Sequence, residues 1–239
     1  MRSFLKFALL AGCIALAAPA FAENKPEAAP PSAAPEAGAK VVATAEATAA
    51  EVAAPAAPQF VAPVADLASA EAGSYKIDPG HTNVFFRLAH LGFSGYMGRF
   101  DKIEGMLELD PKALDKTKLE VTIDPAGVNT NNAKLEGELR SSAFEVEKFS
   151  AITFKSVKMV QKDASHGEVT GDLTLHGVTK PVTLNVTLNG VGVHPMSKAQ
   201  VLGFSAIGAI KRSDFGIVNW LPMVGDDVQI IIEAELQKE

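Results

Sequence analysis

From Gly171 to Asn189 the chain alternates apolar and polar residues in two runs separated by His176-Gly177. A period of two belongs to β-strands, whose side chains point to opposite faces in turn. Leu173 and Leu175 share one face of the first run, and Val182, Leu184, Val186 and Leu188 share one face of the second. Asp172, Thr174, Thr183, Asn185 and Thr187 take the other side. The segment reads as a hairpin with one greasy and one wet face, and what the greasy face encloses decides the function.

The same pattern continues over most of the chain. Val84, Phe86 and Leu88 alternate with Asn83, Phe85 and Arg87. Ile103, Gly105, Leu107 and Leu109 alternate with Lys102, Glu104, Met106 and Glu108. Further runs centre on Leu119-Val121-Ile123, Ile152-Phe154, Val169, Leu202-Phe204-Ala206 and Ile230-Ile232-Ala234. Turn residues separate them: Asp-Pro at 110–111 and 124–125, Asp163 to Gly167, and His176-Gly177. The spacing predicts about eight strands with short connections, hence an all-β antiparallel sheet. One segment departs from the period: Leu135 and Leu139, four apart among charged residues, predict a short helix near 132–144. Eight such strands close into a barrel or split into a sandwich, and alternation alone leaves both open.

The N-terminus has a different character. Arg2 and Lys6, the apolar stretch from Phe7 to Ala18, and Ala20-Phe21-Ala22 form the pattern of a secretory signal over residues 1–22. Export to the periplasm is the expectation. A second parse takes Leu10-Ala11-Gly12-Cys13 as a lipobox, with the protein anchored through an acylated Cys13. Cys13 is the only cysteine, so a cut after Ala22 leaves no thiol for disulfides, redox chemistry or thiolate metal sites. Residues 23–72, rich in Ala, Pro and Glu, read as a disordered linker reaching on the order of 40 Å. That leaves 73–239 as the folded domain. It holds 18 basic and 21 acidic side chains with no basic stripe, which argues against nucleic acid as a partner.

No catalytic set is legible. The five histidines, His81, His90, His166, His176 and His194, fall near strand ends or turns without metal-ligand spacing, and no nucleophile elbow is present. No metal or cofactor is implied. The residues facing inward are Val84, Phe86, Leu88, Ile103, Leu107, Val121, Phe154, Leu173, Leu175, Val182, Leu184, Phe204, Ile230 and Ile232. They suit an apolar ligand or a solid core. Gly171, Ala206 and Gly208 are small residues at inward positions, compatible with a cavity.

Several motifs, taken in order, resemble the YceI-like polyisoprenoid-binding family. They are His90-Leu91-Gly92-Phe93-Ser94, Gly98-Arg99-Phe100, Glu104-Gly105, Leu139-Arg140-Ser141-Ser142, Gly171 to Leu175 with Gly177 to Val182, and Arg212-Ser213-Asp214-Phe215-Gly216. The resemblance runs from Tyr75 to Leu236. It implies a lipocalin-like barrel in an exported bacterial protein, holding a long polyisoprenoid or similar amphiphilic lipid; proximity to a membrane is a further expectation for a carrier of such a ligand. This chain departs from the family at Asn131-Asn132 and Gly137-Glu138, where many relatives carry histidines. For an anionic headgroup the candidates are Arg87, Arg99 and Arg212, with Lys211 beside the last, because a guanidinium donates two parallel hydrogen bonds to phosphate. Tyr96 and Trp220, with Phe93, Met97, Leu221 and Met223, are expected at the mouth. Two rivals remain. A lipid-modifying enzyme would show His90 or His176 against a carboxylate, and an interaction module would have a filled core.

Overall fold

A computed structural model describes residues 61–239. The signal-like segment 1–22, with Cys13, and the expected linker as far as residue 60 lie outside the described residues. Eleven β-segments follow along the chain: β1 (Gly73–Ile77), β2 (Asn83–His90), β3 (Ser94–Phe100), β4 (Ile103–Leu109), β5 (Lys118–Ile123), β6 (Val128–Asn129), β7 (Ile152–Gln161), β8 (His166–Leu175), β9 (Val178–Val193), β10 (Gln200–Lys211) and β11 (Asp227–Lys238). All pair antiparallel, in the order β1-β4-β5-β7-β8-β9-β10-β11-β2-β3-β6, and β1 also pairs with β11.

Eleven segments make eight strands because three strands are bent. β1 and β2 lie end to end along β11, paired with Leu236–Lys238 and with Gln229–Glu233 respectively. β3 runs on into β4 across Asp101-Lys102, and β5 into β6 across 124–127. The result is an up-and-down barrel closed where Tyr75 meets Lys238. Closure resolves the choice that alternation left open.

The β8–β9 hairpin shows how sequence becomes wall. Leu175 pairs with Val178 across a two-residue turn, and His176 and Gly177 both have positive φ, 52° and 74°. Such a turn matches the right-handed twist of the flanking strands. Leu173, Leu175, Val182, Leu184 and Leu188 are buried on the inner face, while Thr170 and Thr183, and Thr174 and Thr179, share hydroxyl hydrogen bonds of 2.8 Å on the outer one.

The predicted helix is shorter than its pattern. α1 (Ala133–Glu138) is capped by the Asn132 side chain, which accepts from the Leu135 N–H at 3.2 Å. Glu136 reaches back to the N–H groups of Thr130 and Asn132, completing a reciprocal cap. Beyond it the chain widens into a looser turn over Leu139–Ala143. This connection, with the turns at 91–93 and 176–177 and the loop 212–226, forms one end of the barrel, called the upper end below. Turns at 110–117, 162–165 and 194–199 form the lower end.

The expected linker reaches too far. Residues 61–72 are not free but strap the lower end. Val64 and Val191 exchange backbone hydrogen bonds of 3.0 and 2.8 Å, and the Leu67 N–H donates to the Ala164 carbonyl at 3.1 Å. Ala70 is buried. Pro63 sits on Gly190 and Gly192 of β9, where a side chain would displace it. The Tyr75 hydroxyl, fully buried, lies 2.7 Å from the Glu71 carbonyl and 2.6 Å from Gln200 Oε1, and burial raises its pKa above the ordinary tyrosine value. An Ala/Pro-rich composition hid this segment because its anchors are backbone groups and glycine gaps on distant strands.

Candidate functional site

The inner faces of the strands do not meet. They leave a cavity of about 370 Å³ inside the barrel, within the range of roughly 300–1,000 Å³ typical of small-molecule sites. Its wall takes in residues of both ends, from Leu67, Leu109 and Leu114 below to Leu139, Phe144, Ile217 and Val224 above. All fourteen residues assigned to the inner face line it: Val84, Phe86 and Leu88 from β2, Ile103 and Leu107 from β4, Val121 from β5, Phe154 from β7, Leu173 and Leu175 from β8, Val182 and Leu184 from β9, Phe204 from β10, and Ile230 and Ile232 from β11. Period two was sufficient to find them.

Glycines keep the bore open in a way the sequence pattern does not show. A side chain at Gly98 would strike the Phe86 ring, one at Gly171 the Phe154 ring, one at Gly105 Ile77 and one at Gly208 Leu184. Each absent Cβ is therefore a seat where a neighbour's large side chain lies along the wall. The small inward residues do not themselves form the space; they let Phe86, Phe154 and Leu184 lie back from it.

Polar groups touch the cavity mainly at its ends. Gln161, Asp163, Ser165, His166 and Glu168 line the lower end. At the upper end stands Arg212, only 7% exposed. Its Nε donates to the Gly225 carbonyl at 2.8 Å, Nη1 to Ile217 and Asn219 at 3.1 and 2.7 Å, and Nη2 to Val224 at 2.8 Å. Burial depresses its pKa from the ordinary arginine value, opposed by the nearby Asp226 charge. A headgroup-binding fork was expected here. Four of the five guanidinium N–H groups instead hold the 217–225 loop, so Arg212 chiefly builds the upper end.

The other mouth candidates separate. Arg87 is on the outer face of β2, its guanidinium over Gly95. Arg99 pairs with Asp101 at 2.7 Å, and Lys211 with Asp227 at 2.7 Å, both at the surface. Tyr96 is half-buried beside the His90 ring, centroids 6.1 Å apart, and its hydroxyl lies 3.4 Å from the Thr130 carbonyl. Of Arg87, Arg99, Arg212, Lys211, Tyr96 and Trp220, Arg212 and Trp220 reach the cavity.

Three histidines meet carboxylates, and one of these pairs, His81 Nδ1 at 2.9 Å from Asp78 Oδ2, lies at the surface away from the cavity wall. His176 Nε2 is 2.8 Å from Glu145 Oε2 and its Nδ1 is 3.1 Å from the Phe215 carbonyl. The His176 hydrogen bond, and then that of Lys148, lower the Glu145 pKa below its ordinary value. This pair is not part of the cavity wall; with the Phe149 ring 4.6 Å away, it ties the β8–β9 turn to the segments before β7 and after β10. At the lower mouth, His166 Nδ1 is 2.9 Å from Asp163 Oδ1 and 3.2 Å from Ser165 Oγ. The three residue types of a hydrolytic triad meet there, but serine and aspartate contact the same ring nitrogen. A relay needs them on opposite nitrogens. Among the described residues no group of three or more His, Cys, Asp or Glu is placed to hold a metal ion.

The described residues form a closed antiparallel barrel around an apolar cavity, the architecture of a barrel binding protein. The chain belongs to the YceI-like domain family, whose pattern matches residues 75–236. It is 42% identical over 177 residues to the UPF0312 protein of Serratia proteamaculans, covering 73% of this chain and 91% of that protein. Against protein YceI of Salmonella agona it is 40% identical over 179 residues, covering 74% and 93%. The solved YceI protein of Campylobacter jejuni superposes with a TM-score of 0.55 at 33% identity, over 63% of this chain and 90% of that one. A polyisoprenoid binding domain from Saccharophagus degradans shares the fold at 16% identity, with a TM-score of 0.53 over 71% of this chain and all of that one.

Proposed function

We propose that this protein is a non-enzymatic carrier or sensor that holds a long polyisoprenoid, or a similar amphiphilic lipid, inside its barrel. The observation that carries this reading is the apolar cavity inside the barrel, with polar groups concentrated at its ends. Each buried methylene contributes about 0.8 kcal/mol, so one five-carbon unit adds roughly 4 kcal/mol gross before entropy losses. Hydrocarbon thus supplies the affinity without any reacting group. The solved relative described as a polyisoprenoid binding domain supports the ligand class through its fold alone. The signal-like segment 1–22 supports residence in the periplasm, with anchoring through Cys13 as the alternative.

The test is extraction of the purified protein with organic solvent followed by mass spectrometry, together with uptake of a long-chain prenol from detergent micelles. A stoichiometric lipid in the extract, or saturable uptake, is expected. An empty extract and no uptake would overturn the proposal.

A further inference from the structure

We propose that the Leu91–Phe93 hairpin tip and the Ile217–Gly225 loop together form a docking surface for a lipid bilayer, at the end of the barrel through which an apolar chain passes between membrane and cavity. The proposal rests on the lipid-binding reading above and identifies the partner from which the ligand comes.

The two elements are one surface. The Leu91 N–H donates to the Met223 carbonyl at 2.8 Å, the Gly225 N–H donates to the Ala89 carbonyl at 2.8 Å, and His90 pairs with Val224. Large apolar side chains point outward from it: Phe93 is 88% exposed, Met223 58%, Leu91 48% and Met97 47%. Their exposure is fixed by the backbone. Leu91 and Trp220 hold positive φ of 51° and 61°, a conformation that side-chain-bearing residues rarely adopt, and Arg212 clamps four carbonyls of the loop. A collapsing loop would have buried these side chains.

The chemistry selects a lipid surface. Neither 88–98 nor 217–225 contains an Asp, Glu, Lys or Arg, although charged residues make up 21% of the chain. Arg87 flanks the patch with no carboxylate within ion-pair distance among the described residues, a cation available to anionic headgroups. Trp220, the only tryptophan, is both cavity wall and exposed rim, so the patch is continuous with the lumen. Tryptophan favours the boundary between hydrocarbon and water. The lower mouth differs in carrying charge at its rim, Asp163 and the Lys162–Glu168 ion pair. Among the described residues no helix is long and apolar enough to cross a membrane.

Vesicle co-sedimentation tests this with the purified protein. With vesicles of phosphatidylethanolamine and phosphatidylglycerol, the protein should pellet and Trp220 emission should shift to the blue. The double variant Phe93→Glu/Met223→Glu should lower the bound fraction about tenfold or more. Neither residue lines the cavity, so the amount of prenol bound at equilibrium and the unfolding midpoint should stay unchanged. Arg87→Glu should weaken binding to these vesicles and leave binding to phosphatidylcholine unaltered. Wild-type protein remaining in the supernatant, or equal pelleting of the double variant, would overturn the proposal; the second result would place attachment elsewhere, such as an acylated Cys13. A concentration-dependent dimer abolished by the same substitutions would also overturn it, by assigning the patch to a second copy. Docking without uptake would refute the cavity reading alone, and uptake without docking would refute this inference alone.

Discussion

Phe154 and Gly171 set the bore of the lumen together. A Cβ on Gly171 would fall on the Phe154 ring and 2.5 Å from the Lys155 carbonyl oxygen. Gly171→Ala is therefore expected to push the ring inward, cutting prenol uptake in a micelle titration and costing about 1–3 kcal/mol in urea unfolding. Arg212 gives a second prediction. Arg212→Lys keeps the charge, but a single ammonium cannot reach carbonyls on Ile217, Asn219, Val224 and Gly225 together, so a loss on the order of 3 kcal/mol is expected in the same measurement. The two differ in how they announce themselves in the sequence. Positions facing the lumen were readable because alternation is local and each inward residue is marked by its neighbours. Arg212 was not, because its partners lie 5 to 13 residues away on a loop whose path depends on the arginine itself.

Elements were readable where their faces differ and hidden where they do not. β3 has glycines at 95 and 98, one under the Arg87 side chain and one under the Phe86 ring, so its alternation is blank at the points that make it a strand. The strap over 61–72 was invisible for a similar reason, and it yields a prediction. Leu67 forms part of the cavity wall and its segment is pinned where the Val64 N–H donates to the Val191 carbonyl. Val64→Pro removes that donor and should lower stability in urea unfolding by about 1 kcal/mol, the weight of one net hydrogen bond, while leaving vesicle binding at the opposite end unchanged. The β7–β8 turn gives a pH prediction. Backbone N–H of Ser165, the His166 ring and the His166 N–H hold Asp163 down at about 2, from 3.8. A depressed carboxylate adds stability that is complete above its unfolded value and is lost as pH falls through its folded one. Asp163→Asn should therefore lower the melting temperature at neutral pH and flatten its fall between pH 3.8 and about 2, so that variant and wild type converge in acid.

For the whole molecule, occupancy should be visible as stability. A ligand at about 100 times its Kd adds about 2.7 kcal/mol. For a domain of this size that raises Tm by about 5–10 °C, which calorimetry with and without prenol can measure. Eight strands were countable in the sequence, but their closure was not, since pairing between the first and last strands leaves no mark on either one. That closure has a kinetic consequence. Tyr75 meets Lys238 and β2 also leans on β11, so the last strand of the barrel is the partner of its first two segments. Until β11 arrives, β10, β1 and β2 each present an unpaired edge, and the contacts that complete the ring have the longest sequence separation in the domain. Such contacts form late and slowly. A growing barrel would therefore stay open until β11 is released, and a barrel lacking β11 would expose to its neighbours the three edges that this strand covers.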